Sequence, residues 1–335
     1  MGNKAHFFRQ SEVGIPFIAT FRTTNTNETL TLPYDLNGTY SGNIDWGDGT
    51  VVANTYANRT HTYVNSGDYD VNIIGECIGF VFNNGGDKLK IIDVKQWGNG
   101  FVLSYNLNEF RGCTNLDITA TDAPTILPNK ELSGTFRDCT SLLFNNSLNN
   151  WNWLNISSLS ATFFNADSFN INLNSIDVSN IIILNNTFAS SNYNQPLNNW
   201  NTINVSQIQR MFKQNTVFNQ PLNNWNTSNV ITFRECFFSC NSFNQDISDW
   251  DFSAITASSG LDDFMRNKTF NDYDSTYYDN LLIKWASDPS LGGLPVGVIG
   301  TIGMGTIKYT SAGASARASI LANNKAVTIN DGGQI

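Results

Sequence analysis

Two histidines, His6 and His61, are all the imidazole this 335-residue chain offers to an acid–base or nucleophilic mechanism. A Ser-His-Asp or Cys-His set would have to use His61, whose setting in Thr60-His61-Thr62-Tyr63 reads as alternating strand, so a polar sheet residue is the better account. Asp45, Asp48, Asp68 and Asp70 could approach a calcium ion, since a hard cation wants several carboxylate oxygens. Turn chemistry in Asp45-Trp46-Gly47-Asp48-Gly49 explains the first pair without a metal, and no cofactor is expected. Asp246, Asp249, Asp251, Asp262 and Asp263 could supply the acid and base of glycoside cleavage. They also read as one repeat exchanging Asn for Asp along a solvated edge, and the chain is not expected to be an enzyme. Gly303-Met304-Gly305 lacks the third glycine of a dinucleotide-binding turn. Of the five cysteines, Cys77, Cys113, Cys139, Cys236 and Cys240, none forms a Cys-x-x-Cys pair, which argues against zinc. Cys113, Cys139 and Cys240 share one repeat position, which predicts buried thiols between repeats, with a disulfide between neighbours as the alternative.

The elements that must position these residues repeat. YNQPLNNWNTINVSQIQRMF, ending at Phe212, is followed by FNQPLNNWNTSNVITFRECF, ending at Phe237. One column, Trp151, Ile176, Trp200, Trp225 and Trp250, advances in steps of 25, 24, 25 and 25 residues. Further columns run through Leu148, Leu173, Leu197, Leu222 and Ile247, and through Phe136, Phe163, Phe188, Phe212 and Phe237. A period of this size predicts a solenoid, in which each repeat is a coil too small to bury its own apolar face. Within a coil, Ile208–Phe212 reads as a short helical turn and Phe218–Leu222 as a strand. The column Asn145, Asn170, Asn194, Asn219 and Asn244 reads as an amide ladder in which side chains bond one another and satisfy the backbones of the coils. Asn198, Asn199, Asn223, Asn224 and Asp249 stand out from it as exposed positions for binding a partner.

Four segments follow from the pattern. Residues 1–15 form a polar arm, in which Lys4, Phe7, Phe8 and Arg9 are candidates for anchoring to a larger particle. Residues 16–90 read as short strands between turn clusters, residues 91–260 as about six repeats, and residues 261–335 as a cap. In that cap a helix over 275–285 presents Tyr278, Leu281, Leu282 and Trp285, then a strand Thr306–Tyr309 leads to Ser311 as N-cap of a helix over 312–323, and a strand follows at 326–329. The turn Asp45–Thr50, the Thr60–Tyr63 strand and Gly67-Asp68-Tyr69-Asp70-Val71 resemble a PKD domain, which implies an immunoglobulin-like sandwich serving as spacer or adhesion module. Met211-Phe212 with Phe218 to Val230 resembles the BspA-type leucine-rich repeats of bacterial and phage surface proteins. Together these imply a mainly β protein: a β-sandwich, then a solenoid of parallel strands and short helical turns, then a strand-helix-strand cap.

Composition narrows the function. Charged residues make up only 14% of the chain, so Asn, Ser and Thr must form much of the solvated surface. The net charge of −9 and the pI near 4.6, with no basic stripe visible, argue against nucleic acid as a partner. The longest apolar run, Ile181–Leu184, is too short to span a membrane, and the first residues lack the apolar core of a signal peptide. The expectation is a non-enzymatic phage virion protein (a spike, fibre or capsid decoration), made in the host cytoplasm and carried on the virion surface. It would contact other virion proteins through its arm and a host surface glycan or protein through the solenoid, with a homo-oligomer as an option. The alternatives are a bacterial cell-surface adhesin, a decoration protein that binds no receptor, and a polysaccharide-degrading enzyme.

Overall fold

A computed structural model describes residues 14–144, 146–256, 259–295, 300–324 and 326–335. Lys4, Phe7, Phe8 and Arg9, proposed as anchors, and Asn145 of the amide column lie outside the described residues. The protein is mainly β, without a closed barrel.

Eight strands come first: β1 (Phe17–Thr23), β2 (Glu28–Thr31), β3 (Tyr34–Tyr40), β4 (Asn43–Asp45), β5 (Val51–Ala53), β6 (Thr60–Tyr63), β7 (Gly67–Ile74) and β8 (Cys77–Phe80). All their mutual pairings are antiparallel: β1 with β7, β7 with β4, β4 with β5, β3 with β8 and β2 with β6. The Asp48-Gly49 turn closes the β4–β5 hairpin as the sequence predicts. There the Asp45 carboxylate accepts the Gly47 N–H at 2.9 Å, and Asp48 accepts that of Thr50 at 3.0 Å. Gly47 and Gly49 both sit at positive φ, 81° and 93°, where a side chain would be strained. Beneath the turn the Trp46 indole is buried, and its carbonyl accepts from the Tyr63 hydroxyl at 2.8 Å.

The sheets do not stop where the repeats begin. β9 (Ile91–Gln96) pairs antiparallel with β1. After β10 (Phe101–Leu103), β11 (Asp117–Ile118) lies parallel to β9. Likewise β10 lies parallel to both β8 and β12 (Thr125–Ile126). The antiparallel strands therefore form the base on which the first repeats are laid, and one buried core runs through both. β13 (Lys130–Glu131) pairs parallel with β14 (Ile156–Ser158), after which the ladder thins to single parallel bridges from Ser158 to Ile183, Gln207 and Thr232.

Each repeat bonds its successor mainly through a second face. The N–H groups of Gly134, Phe136 and Asp138 donate to the carbonyls of Ser160, Thr162 and Phe164, and the same three-bond pattern recurs from repeat to repeat. The conformation there corrects the expected helical turn. Ile208–Met211 and Phe212–Asn215 are tight turns closed by backbone bonds of 3.2 and 3.1 Å. Arg210 and Gln214 hold the third position of each turn at φ 58° and 59°. A left-handed residue every four positions forbids a helix and produces two consecutive turns instead. The same spaced pair recurs as Ala161/Asn165, Asn186/Ser190, Glu235/Ser239 and Asp263/Asn267.

The predicted strand Phe218–Leu222 joins no backbone ladder among the described residues, and Pro221 has no N–H to give. Side chains link the repeats there. The Asn170, Asn194 and Asn219 carbonyl oxygens accept the backbone N–H of Asn194, Asn219 and Asn244 at 2.8 to 2.9 Å. The amide ladder therefore satisfies the backbone of the next repeat. Gln220 and Gln245 add a second donor to the same oxygens at 3.0 and 2.9 Å.

Inside, the aromatic columns are real. Phe110, Phe136, Phe163, Phe188, Phe212 and Phe237 stack near-parallel with centroids 5.6 to 6.0 Å apart. Trp200, Trp225 and Trp250 stack at 6.0 and 6.1 Å, and their indole N–H groups donate to Leu173, Leu197 and Leu222 carbonyls. All five cysteines are buried free thiols, and burial raises their pKa.

The far end is closed by α1 (Ser275–Ala286), β15 (Gly300–Gly303), α2 (Ser311–Asn323) and β16 (Val327–Asn330). Asp274 caps α1 by accepting the Thr276 N–H at 2.7 Å, and Tyr278, Leu281, Leu282 and Trp285 are buried as predicted. Two expectations are corrected. The strand parallel to β16 is β15, not Thr306–Tyr309, where Gly305 turns left-handed (φ 65°) and the Thr306 N–H is taken by the Lys268 carbonyl at 2.9 Å. The N-cap of α2 is Thr310, whose hydroxyl accepts the Ala312 N–H at 3.1 Å, while Ser311 is already helical. Lys268 is buried at this junction, and its ammonium donates to the carbonyls of Cys240, Asn241 and Phe243 at 2.7, 3.2 and 2.8 Å. Burial pushes its pKa down to about 8.

Candidate binding surfaces of the repeat array

Of the asparagines predicted to be exposed for binding, Asn199, Asn223 and Asn224 are exposed and Asn198 is half-buried; they lie on one edge and are partly spent within the stack. Asn174 accepts the Asn199 N–H at 2.9 Å, and Asn198 accepts the Asn224 N–H at 3.0 Å while donating to Asn223 at 3.2 Å. Asn149, Asn172, Asn174, Ser175 and Asn199 line a shallow cavity of about 290 Å³. Asp249 is exposed.

The other carboxylates singled out from sequence are engaged locally. Asp246 accepts the Ser248 N–H at 2.9 Å and the Asn280 amide at 3.0 Å, and Asp251 accepts the Ser253 N–H at 2.8 Å. Asp262 accepts the Thr301 N–H at 3.0 Å, tying the last repeat to β15, and Asp263 pairs with Arg266 at 3.2 Å. In the antiparallel region Arg22 grips Asp68 with two bonds of 2.7 Å, and Lys95 holds Asp70 at 2.7 Å. His61 bonds Asp48 at 2.7 Å and lies against Trp46 with ring centroids 5.1 Å apart. Among the described residues no group of three or more His, Cys, Asp or Glu side chains is placed to hold a metal ion.

The face of consecutive turns carries a feature that charge counting misses. Arg111, Arg137, Phe164, Ala189, Lys213, Phe238 and Arg266 occupy one row. In each repeat the N–H following the row residue donates to the carbonyl of the next row residue, at 2.8 to 3.0 Å from Gly112 through Ser239. The Arg137 guanidinium lies 4.5 Å from the Phe164 centroid, and Lys213 and Arg266 flank Phe238 at 4.8 and 6.0 Å. Beside this row Glu235, only 7% exposed at its side chain, takes Arg210 at 2.8 Å, Arg234 at 3.3 Å and also Lys213. Desolvation alone would raise the Glu235 pKa, but the hydrogen bonds from Arg210 and Lys213 outweigh it and bring it to about 2. A depressed carboxyl pKa adds stability that is complete above about 4.5 and lost as pH falls through about 2. Discounted for the half-exposed cations, Glu235→Gln should cost about 2 kcal/mol at pH 7, a gap that closes toward pH 2. Urea denaturation at both pH values checks this; a gap independent of pH would assign the loss to packing.

The family described as "Mycoplasma protein of unknown function, DUF285" matches residues 130–250 and 186–280. This is a family associated with BspA-like repeats. No curated protein and no solved structure matches the chain.

Within and around the matched residues, repeat-to-repeat register gathers Arg111, Arg137, Lys213 and Arg266 into one row. Its members lie 24 to 28 residues or more apart in sequence, so no local window shows them. Writing the repeats beneath one another at the position after the column Phe (Arg137, Phe164, Ala189, Lys213, Phe238) would have revealed the row.

Proposed function

We propose that this is a non-enzymatic surface protein of a phage virion, built as a BspA-type solenoid on a PKD-like sandwich and used for attachment to the host envelope. The observation that carries the reading is the strict register of the repeats. It sets equivalent side chains in rows along the outside, as in the Asn174, Asn199 and Asn224 edge and the row from Arg111 to Arg266. Rows spaced by one repeat suit a polymeric or densely repeated partner, because several weak contacts act together. Particles assembled without this chain should adsorb poorly to host cells; normal adsorption would remove receptor binding from the reading.

The match to a family described as a Mycoplasma protein favours a second reading, a bacterial cell-surface adhesin. Gold-labelled antibody against the chain separates the two, marking purified particles in the first case and intact uninfected cells in the second.

A further inference from the structure

We propose that the face of consecutive turns, with Arg111, Arg137, Arg210, Lys213, Arg234 and Arg266, binds an acidic polysaccharide through its carboxylates. The inference deepens the attachment reading and rests on it for the source of the glycan. Charge complementarity is the first argument. The chain carries a net charge of −9, yet these six cations are paired with only three carboxylates, Asp138, Glu235 and Asp263. Within these ion pairs the cations therefore outnumber the carboxylates by three, on one face of an acidic protein.

Geometry is the second argument. Arg137 rests on the Phe164 ring at 4.5 Å, while Lys213 and Arg266 lie 4.8 and 6.0 Å from the centroid of Phe238, so ring contacts favour placing these cations along the row. A planar guanidinium held in place loses little freedom on gripping a carboxylate with two parallel bonds. Five of the six cations are arginine.

Charge density then selects the polymer. Duplex DNA presents a negative charge every ~1.7 Å, far denser than three excess charges spread over seven repeats can neutralise. A glycan bearing about one carboxylate per sugar is dilute enough, and its hydroxyls can meet the neutral amides between the cations, such as Asn165, Gln214 and Asn267.

The test titrates the full chain with polygalacturonate at low salt, with its neutral methyl ester and with single-stranded DNA as comparisons. Saturable binding to polygalacturonate that weakens with added salt is expected, with none to the ester. Arg137→Gln with Arg266→Gln should weaken it about tenfold, and Arg266→Gln alone, at the most exposed of the six, should weaken it measurably if the pair disturbs folding. Leu36→Ala, exposed on β3, should leave it unchanged. Failure to bind polygalacturonate, equal binding of the ester, tighter binding of DNA, or unchanged affinity in a double variant that melts like wild type would each overturn the proposal. A parallel host-cell binding assay keeps the two readings apart. Cell binding that survives the double variant leaves attachment standing and removes this face from it; glycan binding without cell binding does the reverse.

Discussion

Replacing Lys130 by Met is expected to destabilise the protein by about 3–5 kcal/mol, the cost of leaving a buried charge without its partner. The Lys130 ammonium is wholly buried and bonds both the Glu109 carboxylate and the Asn106 carbonyl. Thr135 gives Glu109 its other hydrogen bond, at 2.8 Å. Burial already pushes the Glu109 pKa upward against the pull of Lys130, so without the lysine the carboxyl would take up a proton to remain inside. A raised folded pKa means the variant's deficit grows as pH rises through that value and shrinks below the ordinary glutamate range. Adding Glu109→Gln to Lys130→Met should recover part of the loss, because a neutral amide is cheaper to bury than an unpaired carboxylate. Urea denaturation of the two variants decides it; a double variant no more stable than the single would show that the lost packing of the lysine stem, not the orphaned charge, dominates.

Trp225→Ala should cost a similar amount, about 3–5 kcal/mol, by a different route. The indole is sandwiched between Trp200 and Trp250 at 6.0 and 6.1 Å, so truncation removes ring contacts on two sides and leaves a cavity between three repeats. It also leaves the Leu197 carbonyl without the indole N–H that it accepts at 2.9 Å. Trp225→Phe should recover much of the packing but not the hydrogen bond. Thermal melting of both variants measures the division; a loss for Trp225→Ala under about 1 kcal/mol would mean that the neighbouring rings collapse into the gap.

The interior of this protein was largely legible before any coordinates. Columns of Trp, Leu and Phe at a constant period can only face the same way, and burial of Trp200, Leu222 and Phe212 follows from that alone. Local conformation was harder. Ile208–Phe212 has the composition of a helical turn, but the N–H groups there are drawn to the next repeat, and Arg210 accepts a left-handed φ of 58° to aim them. Phe218–Leu222 has the look of a strand, yet Pro221 cannot donate and Asn219 supplies an oxygen in place of a backbone ladder. In both places contacts between repeats overrode local propensity. The Thr310 cap illustrates a smaller uncertainty, since Thr and Ser in sequence offer the same hydroxyl one residue apart. The surface was least legible: the Arg137 to Arg266 row exists only once the repeats are registered, and net charge averages it away.

The two closures lie outside the regular middle of the chain. Lys130 and the antiparallel strands finish one end, while Lys268, α1 and β15 finish the other, and between Phe163 and Phe237 each repeat bonds only the one before and the one after. An in-frame duplication of roughly 25 codons in that middle would therefore lengthen the molecule while disturbing neither terminus. The length of the array, and the number of equivalent side chains in each outer row, become quantities that recombination can change in single steps without a new fold having to be found.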